Sequence, residues 1–150
     1  MPRPVVLVLN GPNLNMLGVR EPEIYGTQTL DDVEQMCRDA ADRLGLDVDC
    51  RQSNHEGEMV TWIQNSFGRI SGLVINAGAY THTSIAIHDA LKLYGGAIPI
   101  AEVHITDPKT REKFRHFSYI EELAFARYAG HGVMGYVRAL EALAERLGKM

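Results

Sequence analysis

Short apolar runs that stop at Gly, Pro or Asn alternate with amphipathic segments along the whole chain, and this alternation constrains the fold more than any other feature. Residues 4–9 (PVVLVL) are apolar and β-branched, with no polar alternation, and end at Asn10-Gly11-Pro12. Residues 72–76 (GLVIN) and 98–103 (IPIAEV) have the same character. Such runs read as strands buried on both faces, as in a parallel sheet. Residues 46–51 read as a further strand. Thr29 can cap a helix, with Asp32 placed to complete a capping box. Leu30, Val33, Met36, Cys37, Ala40, Ala41 and Leu44 then follow helical spacing, and Gly45 closes the segment. Met59, Val60, Ile63 and Phe67 mark a second helix ended by Gly68. Ile87, Ala90, Leu91 and Tyr94 mark a third, capped by Thr83 or Ser84. Val133, Val137, Leu140, Leu143, Ala144 and Leu147 mark the last. Residues 118–130 (SYIEELAFARYAG) admit a helix by spacing, but an alternating fold wants a fifth strand there. The expectation is an α/β fold in one domain, 1–150: a parallel sheet with helices on both faces and right-handed crossovers.

Bulk properties narrow the function. Apolar residues make up 45% and charged residues 23%, which excludes a disordered chain. The net charge of −4 leaves no basic excess to draw the chain onto nucleic acid. No apolar stretch approaches the ~20 residues of a membrane span, and the first apolar run is too short for the core of a secretion signal. Cys37 and Cys50 are far apart in sequence, form no CxxC pair, and read as reduced core thiols. A cytoplasmic protein is expected, with neither membrane nor nucleic acid as a partner.

In a parallel sheet the site lies beyond the carboxyl ends of the strands. The first strand runs into Asn10-Gly11-Pro12-Asn13, the third into residues 76–82 (NAGAYTH), and the fourth into residues 102–106 (EVHIT). Glu102 and His104, two apart on a strand, share a face, so the carboxylate can hold the imidazole as a general acid near neutral pH needs. The aperiodic segment 11–28 carries Arg20 and Tyr25. A guanidinium beside a phenol favours the phenolate, which turns a poor base into a usable one. Arg111 and Arg115 are spaced i, i+4 on an expected short helix begun by Asp107-Pro108, and suit anion recognition or an electrostatic partner for a carboxylate. Taken singly, each of these residues has an ordinary structural reading: Asn in turns, a satisfied histidine, a solvated arginine pair.

Other chemistries lack their residues. There is no GxGxxG, GxxxxGK[ST] or GxSxG, no HExxH and no zinc spacing among the six histidines. No lysine sits in an apolar strand to form a Schiff base. The residues therefore predict acid–base work on a polar, anionic small molecule, with no metal, nucleotide or other cofactor.

Residues 10–26 (NGPNLNMLGVREPEIYG), 52–59 (QSNHEGEM), 75–91 (INAGAYTHTSIAIHDAL), 102–119 (EVHITDPKTREKFRHFSY) and 135–143 (GYVRALEAL) together resemble the type II 3-dehydroquinate dehydratases, in order and over almost the whole chain. The resemblance implies a flavodoxin-like three-layer sandwich with a five-stranded parallel sheet. It also implies an anti elimination of water from 3-dehydroquinate through an enolate, giving 3-dehydroshikimate, in shikimate biosynthesis or quinate breakdown. Residue by residue it makes Tyr25 the base beside Arg20, and His104 the acid oriented by Glu102. Asn13 would hold a water at the enolate oxygen. Asn76 and the backbone amides of Ile105 and Thr106 would bind the substrate carboxylate, and His82 and Arg115 the ring hydroxyls. Asp89 would reach Arg115 from a neighbouring subunit of a dodecamer built from four trimers. Residues 18–26 resemble the family's lid. Ala77, Thr106, Glu121, Glu122, Arg127 and Tyr128 depart from the usual pattern. A flavodoxin-like binder of an anionic nucleotide or phosphate, and a catalytically silent structural oligomer, are the competing classes. The first needs no Tyr25/His104 pair, and the second makes no enone.

Overall fold

The computed structural model describes residues 2–19 and 21–148. Five strands, β1 (Val5–Asn10), β2 (Asp47–Gln52), β3 (Gly72–Asn76), β4 (Ile100–His104) and β5 (Ala126–Ala129), form one sheet in the order β2-β1-β3-β4-β5. Every strand pairing is parallel. The helices are α1 (Pro22–Tyr25), α2 (Leu30–Leu44), α3 (Glu56–Ser66), α4 (Ile85–Leu91) and α5 (Met134–Arg146). This strand order is the flavodoxin-like one, with its switch point between β1 and β3.

Strand pleating divides the core in two. Val6, Val8, Val74, Ala101 and Val103 face α2 and α5, where they meet Val33, Cys37, Tyr136 and Leu140. Leu7, Leu9, Leu73, Ile75 and Ile100 face α3 and α4, where they meet Met59, Ile63, Ile87 and Leu91. Burial on both faces is why β1 and β3 are apolar up to their last residues, Asn10 and Asn76. Edge strand β2 instead carries an Asp49–Arg51 pair at 3.1 Å, a charged edge that discourages further strand pairing.

Local signals explain the helix ends. Thr29 Oγ1 accepts from the Asp32 amide while the Asp32 carboxylate accepts from the Thr29 amide, completing the expected capping box. Such caps contribute about 1 kcal/mol. The Ser84 hydroxyl caps α4 by accepting from the Ile87 amide.

The fifth strand that the alternation wants in residues 118–130 forms at Ala126–Ala129, which find the open edge of β4. Three local expectations are corrected. Arg111 and Arg115 are not on one helix: they follow and end two separate 3₁₀ turns, Pro108–Thr110 and Lys113–Arg115, with extended backbone at Arg111 between them. Phe67 is exposed rather than inward. Cys50 is only half-buried, and the fold brings it beside the buried Cys37. No described helix is long and apolar enough to cross a membrane.

Candidate active site

The loops leaving β1 and β3 touch backbone to backbone. The Gly11 amide donates to the Asn76 carbonyl at 2.8 Å, and a Cβ at Gly11 would lie 2.3 Å from the Ala77 carbonyl oxygen. Only glycine permits this approach, which brings Asn13 and Asn76 to one cleft at the switch point. Asn13 sits there in the left-handed region, φ 69°, which asparagine tolerates. Its amide donates to Asn54 Oδ1 at 3.0 Å.

The cleft encloses about 550 Å³ up to its open mouth. Asn13, Tyr25, Asn76, His82, His104, Ile105, Thr106 and Arg115 all line it, as does Arg111. These are eight of the eleven residues expected from sequence. Glu102 lies behind His104. Asp89 is exposed on α4 and does not line this chain's cleft. Arg20 lies outside the described residues.

At one wall Arg111 Nη1 donates to the Tyr25 hydroxyl at 2.8 Å, and its guanidinium lies 5.4 Å from the ring centroid. Arg111 also reaches Thr106 Oγ1 at 3.4 Å. The sequence identified Arg111 as an electrostatic partner for a carboxylate or anion. The break between the two turns is what aims it at a phenol instead.

At the other wall His104 Nε2 donates to Glu102 Oε2 at 2.6 Å, and Ser118 Oγ donates to the same oxygen at 2.7 Å. Glu102 is 0% exposed. Burial pushes its carboxyl up, but the His104 hydrogen bond and charge, with Ser118 and Arg127, outweigh it and hold the group below its ordinary value. An ionised Glu102 only accepts, so the proton of that bond sits on Nε2. Nδ1 is then the nitrogen that can gain or lose a proton.

His82 stacks 6.4 Å from His104, and its Nδ1 donates to the Phe117 carbonyl at 2.7 Å. Burial lowers its pKa. A neutral His82 with its hydrogen on Nδ1 offers Nε2 as an acceptor for a ligand hydroxyl.

Beneath the cleft runs a buried chain that no local pattern announced. Asn76 Nδ2 donates to the Tyr136 hydroxyl at 2.9 Å, and that hydroxyl donates to Asn10 Oδ1 at 2.5 Å. Asn76 Oδ1 accepts from the Gly78 amide at 3.2 Å. The Asn76 amide plane is thereby fixed, and its second N–H is left for a ligand. Among the described residues no group of three or more His, Cys, Asp or Glu is gathered as metal ligands would be.

The family model described as "Dehydroquinase class II" matches residues 4–144. The chain belongs to the class II dehydroquinases. A "3-dehydroquinate dehydratase" of Rhodopseudomonas palustris (strain TIE-1) is 55% identical over 144 residues, covering 95% of this chain and 94% of that protein. The type II dehydroquinase of Butyrivibrio crossotus superposes with a TM-score of 0.91 at 42% identity, over 94% of this chain and 97% of that one. The type II dehydroquinase of Propionibacterium acnes gives a TM-score of 0.88 at 44% identity, over 94% and 96%. Membership makes this chain a hydro-lyase of the dehydratase class.

Proposed function

We propose that this class II dehydroquinase removes water from 3-dehydroquinate to give 3-dehydroshikimate, by anti elimination through an enolate. The observation that carries the reading is the pairing of Tyr25 with Arg111 and of His104 with Glu102 on walls of one cleft. The C2 proton lies alpha to the ketone and is weakly acidic, so the reaction needs both a base and a stabilised enolate. Tyr25, as phenolate beside a guanidinium, takes that proton. The electron pair moves into the enolate, whose oxygen is met by a water held at Asn13. As the enolate collapses, the C1–O bond breaks and His104 protonates the departing hydroxyl, which leaves as water. Well-placed acid–base groups contribute ~10²–10⁴-fold, and aimed dipoles at the enolate add to this. The free N–H of Asn76 and the backbone amides of Ile105 and Thr106 receive the carboxylate; His82 and Arg115 receive the ring hydroxyls. Arg20 supports the Tyr25 phenolate, and residues 18–26 close over the substrate. Gly18 and Gly26 are the hinges of that lid, with φ of 89° and 83°.

The test is direct. The purified chain, dialysed against EDTA, should convert 3-dehydroquinate to a product with enone absorbance at an undiminished rate. No enone under any condition, or a rate that depends on added divalent cation, would refute the reading. Tyr136→Phe should raise KM severalfold and cost about 1–3 kcal/mol of stability, because Asn10 Oδ1 loses its donor and Asn76 its acceptor. Denaturant titration and steady-state kinetics check both effects; an unchanged KM would detach Asn76 from the substrate.

The same reading includes assembly as four trimers. Asp89 then reaches the Arg115 of a neighbouring copy, which within one chain is held by Glu112 at 2.9 Å. Ile85 on α4, and Phe114 and Phe117 beside the cleft, are 57%, 68% and 62% exposed, apolar surface that a neighbouring copy would cover. Light scattering should give the mass of twelve chains, and Asp89→Ala should weaken substrate binding. A fully active monomer would contradict both.

A further inference from the structure

We propose that Arg127 is a positioning residue for the acid His104, acting from edge strand β5 through the buried carboxylate of Glu102. The proposal rests on the reading of His104 as the acid. Glu102 and Arg127 are directly paired across β4 and β5. Glu102 Oε2 is taken by His104 and Ser118, while Oε1 faces Arg127 Nε at 3.2 Å without the alignment of a hydrogen bond. The same guanidinium lies 3.7 Å from Glu121 Oε1, and Glu121 in turn lies 3.7 Å from Lys109 Nζ. A line of alternating charge therefore runs from the surface, through Lys109, Glu121 and Arg127, to Glu102 and the imidazole.

This arrangement sets two things at once. The cation on Oε1 keeps the buried carboxylate ionised and stops it rotating away from the imidazole. It also offsets part of the negative charge that the imidazole faces, so His104 gives up its proton more readily than it would to a lone buried carboxylate. Purely structural ion pairing would supply the first effect but not the second. The other groups around His104 are His82 from the turn at residues 78–82, Arg111 and Arg115 from the turns after β4, and Tyr25 from the opposite wall. Replacing Arg127 removes the cation behind Glu102 and takes from Glu121 one of its partners.

The experiment is a ¹⁵N-histidine NMR titration of the unliganded protein for wild type, Arg127→Met and Arg127→Lys, beside kcat and KM for 3-dehydroquinate. In Arg127→Met the His104 midpoint should rise by about half a pH unit or more, with His82 unmoved and kcat reduced severalfold at constant KM. Arg127→Lys should restore most of the wild-type midpoint. A midpoint unchanged in Arg127→Met, or Arg127→Lys behaving like Arg127→Met, would overturn the proposal. Should Arg127→Met not fold, Glu121→Gln serves from the exposed side. Removing that competing carboxylate should lower the midpoint, and a rise or no change would count against the coupling. The titration needs no turnover: a midpoint that rises in Arg127→Met, beside a wild type that makes no enone, would refute the dehydratase reading and leave the coupling standing. An active enzyme with no shift would do the reverse.

Discussion

Tyr25→Phe and His104→Ala are each expected to lower kcat by about 10²–10⁴-fold while leaving the fold intact. Phenylalanine keeps the ring that packs against Arg111 and removes only the hydroxyl, the proposed base. Alanine at 104 removes the proposed acid but leaves the buried Glu102 carboxylate with Ser118 and Arg127 beside it. Circular dichroism and thermal melting verify the fold; steady-state kinetics read the loss. A variant keeping more than about a tenth of wild-type kcat, ~1.4 kcal/mol of barrier, would remove its residue from the assigned role. The two walls can also be told apart by pH. Arg111→Met should move upward only the limb of the kcat/KM profile that depends on Tyr25, because the phenolate loses its cation. If that limb stays where it was, Arg111 is not what supports the base.

Glu102→Ala should damage stability and activity together. It leaves Arg127 behind a cavity, Ser118 without its acceptor, and the His104 ring free to turn. Breaking a buried pair by deleting one partner costs about 3–5 kcal/mol, and kcat should fall with it because nothing fixes the tautomer of His104. The pH dependence has a definite sign. The Glu102 carboxyl is held below its ordinary value in the fold. Its stabilisation is therefore complete above the ordinary carboxylate range and is lost as pH falls through that range and the lower folded value. Urea titrations across pH should show the gap between wild type and Glu102→Ala narrowing under acid. A gap independent of pH would mean that the carboxylate's charge contributes nothing.

Much of this was legible in the residues, for reasons that can be named. Strands β1 and β3 are buried on both faces, so their sequences are apolar up to Asn10 and Asn76. The helix caps are local chemistry, as Thr29 with Asp32 and Ser84 with the Ile87 amide illustrate. The cleft follows from strand ends, since consecutive parallel strands deliver Asn13, Asn76 and His104 to one edge. Strand β5 was ambiguous because Ala126–Ala129 carry no alternation of their own, and only the exposed edge of β4 decides their conformation. Arg111 was read on a helix face because i, i+4 spacing suggests one; a backbone break at Arg111 itself redirects the side chain to Tyr25. Tyr136 lies 126 residues from Asn10 in sequence, and no periodicity links positions so far apart. Arg127 met Glu102 only once the register of the sheet was known.

The proposed mechanism has Tyr25 and His104 act on opposite faces of one substrate held between them. Turnover of 3-dehydroquinate carrying deuterium stereospecifically at C2 tests this most directly, with the product read by mass spectrometry. Only the C2 deuterium anti to the C1 hydroxyl should be lost, with the other retained in the enone. Loss of the syn deuterium, or scrambling between the two, would contradict it.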